Sequence, residues 1–211
     1  MLVKLIEIDK DLMIWINNSL SNQVFDLLMP IVTNENLWVL PILILIGYLG
    51  YFSGKRGKIA IGILLITTIS CDAVCAQILK PWIGRIRPSH EIIDQINLLV
   101  GKGGKWSFPS NHAANSFAAA TVLSYFYERF KIVSYSLAFL IALSRTYVGV
   151  HYPGDILAGG IVGYSLAWTM LTLWVMIKMR ELKRGRFWVW YDSTVTPVSY
   201  THLTLPTNRE V

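Results

Sequence analysis

Three short stretches hold the residues best suited to phosphate chemistry: Lys80 with Arg87 and Pro88, then Pro109-Ser110-Asn111-His112, then Ser144-Arg145 followed by His151 and Asp155. A phosphoryl group in transfer carries negative charge over three equatorial oxygens, and neutralising that charge is most of what such a site must do. Lys80, Arg87 and Arg145 are suitable donors, the arginines as planar forks and the lysine as a compact point charge. Ser110 is placed to cap a helix whose first-turn N–H groups, beginning at Asn111, face an anion on the axis. His112, on that turn, has the position of a general acid. The turn residues Tyr152-Pro153-Gly154 can fold Asp155 back onto His151, fixing one ring nitrogen and leaving the other free to attack phosphorus.

Each stretch also has a plainer reading. Lysines and arginines at helix ends snorkel to the interface, an interfacial histidine can be structural, and Asp155 can simply cap the helix starting at Ile156. His112, His151 and Asp155 could hold zinc, although three nearby cations would repel a divalent ion. Arg145 favours the phosphate reading, because a guanidinium in a largely apolar helix is costly without an anionic partner.

The elements that must position these residues are membrane helices. With 54% hydrophobic residues, 15% charged and a mean hydropathy of +0.47, the chain is too apolar for an ordinary soluble domain of its length. Ile59–Leu79 contains one charge, Asp72, and Ile156–Ile177 none, and each has the roughly 20 residues of a spanning helix. Leu37–Phe52, Ala113–Tyr127 and Ile132–Leu143 are shorter candidates that borrow flanking residues. Leu12–Val32 is broken by polar residues from Asn17 to Asp26, and either crosses as a packed helix or lies in the interface. The expected fold is all-α, a polytopic transmembrane bundle of five or six spans over residues 1–190, with its core at 59–177. Basic clusters at Lys55, Arg56 and Lys58, at Arg129 and Lys131, and from Lys178 to Arg186 read as cytoplasmic, which puts all three chemical stretches on the opposite face. The formal net charge of +6 then reflects anchoring to the inner leaflet and calls for no nucleic acid. No cleavable leader is visible in the first residues.

The order Lys80-x6-Arg87-Pro88, Pro109-Ser110-Asn111-His112, Ser144-Arg145-x5-His151-x3-Asp155 resembles the three-part signature of the type 2 phosphatidic acid phosphatase superfamily. The resemblance covers about Ile59 to Ile177. It implies a lipid phosphatase that works through a phosphohistidine on His151, with Asp155 and His112 as its partners, Lys80, Arg87, Ser110, Asn111 and Arg145 around the phosphate, and no metal or organic cofactor. Asn111 stands where the family usually has glycine, and asparagine tolerates a left-handed backbone better than most residues. The family's compact bacterial members act on undecaprenyl diphosphate, phosphatidylglycerol phosphate or lipid A, with undecaprenyl diphosphate the first expectation by analogy. A silent lipid-phosphate binder or transporter would show the same anion pocket, and a haloperoxidase is disfavoured by the spanning helices.

Several other features bear on the site. Asp72 lies about 12 Å below Lys80 along a helix axis and reads as a packing or hydrogen-bonding group. Cys71 and Cys75, the only cysteines, read as packing residues. Arg85 is expected to face headgroups, Gly101-Lys102-Gly103-Gly104-Lys105 to be a flexible loop, and Glu91–Val100 to be an interfacial amphipathic helix. The threonine- and proline-containing stretch from residue 191 to 211 is expected to be disordered, and Val198 onward has the character of non-native sequence.

Overall fold

The computed structural model describes residues 2–186, 188 and 189, so the expectations for residues 191–211 lie outside the described residues. It is all-helical, with α1 Leu2–Ser19, α2 Gln23–Thr33, α3 Glu35–Phe52, α4 Gly54–Asp72, α5 Lys80–Ile83, α6 Pro88–Glu91, α7 Asn111–Phe126, α8 Lys131–Tyr147 and α9 Pro153–Lys183. Glu35–Phe52, Gly54–Ile83 and Pro153–Lys183 are long and apolar enough to cross a bilayer. α7 and α8 are shorter, at 16 and 17 residues.

α7 is the hub, packed against α4, α8 and α9. Its composition explains why. Ala113, Ala114, Ala118 and Ala120 are buried and small, so neighbouring helices approach its backbone closely. α9 answers with glycines: a Cβ on Gly159 would lie 2.4 Å from the Ser110 carbonyl oxygen, and one on Gly163 only 2.0 Å from that of Ala114. Away from the site, Cys71 and Cys75 are free thiols buried in the same core as Phe126, Leu171 and Trp174.

α4 and α5 form one continuous helix through a π-helical segment, Ala73–Leu79. Pro81 has no N–H to give to the preceding turn and its ring crowds the carbonyl four residues back. The widened turn accommodates this, with the Lys80 N–H bonding Cys75 five residues earlier. One extra residue in the turn re-aims Lys80 relative to an unbroken α-helix. Gly84, at φ +64°, then ends the helix by donating to the Lys80 carbonyl at 3.0 Å.

The polar stretch in Leu12–Val32 is a break between two helices. Asn22 caps α2 by accepting from the Val24 and Phe25 N–H groups at 3.1 and 3.0 Å. Asn17 on α1 donates to the carbonyls of Asn97 and Tyr147 at 2.9 and 2.6 Å and accepts from the Asn97 N–H at 2.7 Å. These buried polar contacts tie the N-terminal helices to the loops that carry the chemical residues.

Glu91–Val100 is not one amphipathic helix. α6 ends at Glu91, a 3-10 turn covers Ile93–Gln95, and the rest is irregular. Its apolar residues point inward: Ile92 is buried with Met13 and Tyr152, and Leu98 and Leu99 pack on Tyr147, Val148 and Val150. Burial of these side chains against the loops competes with insertion into the interface, and here it wins. The glycine-lysine run is likewise anchored. Arg87 N–H donates to the Lys105 carbonyl at 3.1 Å, Ser89 Oγ donates to the Lys102 carbonyl at 2.8 Å, and a Cβ on Gly103 would lie 2.3 Å from Arg87 Nη1. Gly103, at φ +67°, lets the backbone lie against the guanidinium.

Candidate functional site

The third stretch forms the most buried part of the site. α9 starts at Pro153, two residues after His151, so Asp155 is inside its first turn and its carboxylate reaches back to accept the Tyr152 N–H at 2.9 Å. The expected cap at the start of a helix from Ile156 is thus replaced by a third-position carboxylate that reaches back to the N-cap N–H of a helix starting three residues earlier. That geometry places Asp155 Oδ2 3.4 Å from His151 Nδ1. Ser107 Oγ lies 3.3 Å from the same ring nitrogen and donates a short hydrogen bond to Asp155 Oδ2. With Nδ1 engaged, Nε2 is the ring nitrogen left for chemistry.

Asp155 is wholly buried, and its other oxygen accepts from Arg85 Nη1 at 2.9 Å. Arg85 therefore faces inward, correcting its expected place among headgroups. Its guanidinium also lies 2.7 Å from Asp9 and 3.9 Å from the centre of the Tyr152 ring. An arginine held by two carboxylates and an aromatic face gains more inside than a solvated headgroup contact would supply.

The second stretch is joined to the third through the backbone. Ser110 N–H donates to the Asp155 carbonyl at 3.1 Å, and Ser110 Oγ caps α7 by accepting from Ala113 N–H at 3.5 Å. Asn111 opens the helix, and no non-glycine residue among those described has positive φ, so the left-handed backbone considered for this position does not occur. Asn111 has a different partner: its amide donates to Asp72 Oδ1 at 2.9 Å, and Asn115, one turn on, donates to the same oxygen at 3.0 Å. Asp72 thus reaches the edge of the site by clamping the start of α7, although it sits well below Lys80 in sequence. His112 Nε2 lies 4.0 Å from the Glu35 carboxylate at the start of α3.

The cations converge on the same place. His112 lies within the electrostatic reach of Arg145, Arg87 and Lys80, His151 within that of Arg87 and Arg145, and Lys80 within that of Arg87 and Arg145. Arg145 is 9% exposed; one guanidinium nitrogen donates to Thr33 Oγ1 at 2.5 Å, while Nε is buried without a partner. A buried guanidinium with an unused donor is poised for an anion. Arg87 Nε is held by the Trp106 carbonyl at 3.0 Å. All eight residues singled out from the sequence are therefore neighbours here. Arg85, Ser107, Asp9 and the α9 glycines were not anticipated. Of these, only the Gly159-x3-Gly163 spacing in an apolar helix carried a local signal.

Burial outweighs the pull of Asp155 and holds the His151 imidazole down to about 3, well below its ordinary value, with Arg87 pushing the same way. The ring is therefore neutral at pH 7 and stays so far into the acid range. The unfolded chain, with an ordinary histidine near 6.5, binds the proton first, so this contribution to stability is full above about pH 6.5 and is lost as pH falls toward 3. Thermal unfolding of the wild type is expected to lose about 1 kcal/mol per pH unit more steeply below pH 6 than His151→Gln does, in parallel melts between pH 7 and 4.5.

A helical membrane bundle with cations, imidazoles and a helix N-terminus gathered at one end defines a class of phosphoryl-transfer enzyme. Residues 60–179 match the PAP2 superfamily, and the chain belongs to it. Among curated proteins it is similar to a lipid A 4'-phosphatase of Bacteroides thetaiotaomicron, 34% identical over 170 residues, 77% of this chain and 75% of that one. It is also similar to phosphatidylglycerophosphatase B of Bacillus subtilis, 29% identical over 161 residues and 71% of each chain. Among solved structures it resembles Aquifex aeolicus LpxE with a TM-score of 0.61 and 28% identity, over 77% of this chain and 93% of that one. The protein is a membrane phosphatase acting on lipid phosphate esters.

Proposed function

We propose that the protein removes phosphate from a lipid phosphate on the extracytoplasmic face through a phosphohistidine, and that lipid A-type phosphorylated glycolipids are its substrate class. The convergence of His151, Asp155, Arg87 and Arg145 at the N-terminus of α7 carries this reading. Lys80, Arg87, Arg145 and the free N–H groups of the first turn of α7, from Asn111, grip the phosphoryl oxygens, and Ser110 fixes that turn. His151 Nε2 attacks phosphorus as the bond to the leaving oxygen breaks, and His112 gives that oxygen a proton. Asp155 stabilises the imidazolium produced on His151. Water then attacks the phosphohistidine, His112 takes up the proton, and phosphate leaves. No metal is required, since three cationic side chains supply the positive charge.

The helix ends support the outward-facing reading. Glu35, beside His112, puts the start of α3 at the site, and the other end of α3 leads into Lys55, Arg56 and Lys58. The positive-inside bias then puts the site outside, with five spans (α3, α4–α5, α7, α8 and α9) and with α1 and α2 on the outer face. An apolar groove of about 500 Å³ between α7, α8 and the first turns of α9, lined by Phe117, Tyr135, Phe139, Ile156 and Leu157, suits an acyl chain held in the bilayer. The glycolipid preference rests on the lipid A 4'-phosphatase relative. Purified protein is expected to release phosphate from a lipid A-type phosphate faster than from undecaprenyl diphosphate or phosphatidylglycerol phosphate, with turnover unchanged in excess EDTA. Equal rates across the panel would remove the substrate preference, and no release from any of them would remove the phosphatase reading.

A further inference from the structure

The residues matching the family begin at position 60, yet the buried charge system behind His151 does not end there. It runs from His151 to Asp155, from Asp155 to Arg85, and from Arg85 to Asp9 on α1, with Arg85 Nη1 2.9 Å from Asp155 Oδ1 and Arg85 Nη2 2.7 Å from Asp9 Oδ2. Asp9 makes a second contact at the same place: its Oδ1 accepts the Gly154 N–H at 2.7 Å, in the turn that carries Asp155. A Cβ on Gly154 would lie 2.8 Å from Asp9 Oδ2, so the carboxylate is seated directly against that backbone. The side chains of Asp9 and Arg85 are 17% and 21% exposed, well shielded from the solvent that would screen them.

We propose that Asp9 of α1 is a positioning residue for the catalytic pair, holding Arg85 and the first turn of α9 so that Asp155 stays aligned on His151. The inference rests on the phosphohistidine reading. Two physical effects separate Asp9 from an ordinary surface anchor. It shares the positive charge of Arg85, which would otherwise fall wholly on Asp155 and weaken that carboxylate's hold on an imidazolium at His151. It also takes up a first-turn N–H of α9, a donor with no partner inside the helix. Loss of either should slow the chemical step, which depends on imidazole orientation, and leave phosphate affinity, which depends on Lys80, Arg87 and Arg145, nearly unchanged.

The test uses the full-length protein in detergent micelles with a short-chain lipid phosphate. Asp9→Asn is expected to lower kcat by about 30-fold with KM within about twofold, and Asp9→Glu to recover most of the loss. Arg85→Lys, which keeps a charge but lacks the fork that spans both carboxylates, is expected to lose a similar factor, and the double variant to be no slower than the worse single one. Asp9→Asn within threefold of wild type would overturn the proposal. So would losses that multiply in the double variant, or a fall in kcat that tracks a fall in Tm and is not relieved by glutamate. Wild-type turnover is the control: its absence sinks the phosphatase reading, whereas normal turnover with an indifferent Asp9→Asn sinks only the role of Asp9.

Discussion

His151→Ala is expected to lower phosphate release by at least about 10³-fold and to abolish a phosphoryl label on the protein, because on the proposed route no other side chain can replace His151 Nε2 as the attacking nitrogen. His151 is 1% exposed, its Nδ1 is engaged by Asp155 and Ser107, and its remaining nitrogen shares a neighbourhood with Arg87 and Arg145. The label should be lost in acid and survive alkali, as expected for a phosphoramidate. His112→Ala should behave differently. If His112 is the general acid proposed, the first step slows by about 10²- to 10⁴-fold for a poor leaving group and much less for a good one such as p-nitrophenolate. Rapid-quench labelling of both variants with paired leaving groups separates the roles. If His112→Ala loses the label while His151→Ala keeps it, the assignments of nucleophile and acid are reversed. The same experiment distinguishes an enzyme from a silent lipid-phosphate binder, which would never be labelled.

The second large effect is expected at a residue with no chemistry. Gly163→Ala should destabilise the protein by about 1–3 kcal/mol and cut kcat by about 10²-fold. The added Cβ would sit 2.0 Å from the Ala114 carbonyl oxygen and 2.7 Å from its carbonyl carbon, and backbone atoms of a packed helix cannot turn aside. α9 would have to move away from α7 by an ångström or more. That separation is the one the site depends on, because α9 carries Asp155 and α7 begins at Ser110, and the two are joined by the Ser110 N–H bond to the Asp155 carbonyl at 3.1 Å. Gly62→Ala is the control, since a Cβ there meets nothing within 4 Å. Thermal unfolding and kcat measured on both variants decide the matter: a Gly163→Ala protein with unchanged Tm and turnover would mean that the helices have slack the packing does not suggest.

What could be read from the sequence was local chemistry. Ile59–Leu79 and Ile156–Ile177 announce membrane helices because an apolar run of that length with at most one charge has few stable alternatives, and the continuous helix Gly54–Ile83 and α9 contain them. Lys80, Arg87, Ser110, Asn111, His112, Arg145, His151 and Asp155 stand out because ionisable or capping residues at the ends of apolar helices are costly without a purpose. Tertiary structure alone decided how those residues are held. Asp155 meets Ser107 across 48 residues and Arg85 across 70, and Asp9 meets Gly154 across 145, separations at which no periodicity or spacing carries a signal. For the same reason Asp72 could be recognised as a costly intramembrane carboxylate, while its clamp on Asn111 and Asn115 emerged only once α4 was packed against α7. Glu91–Val100 shows the converse: an amphipathic pattern records that apolar groups need burial, and the fold settles whether lipid or protein provides it.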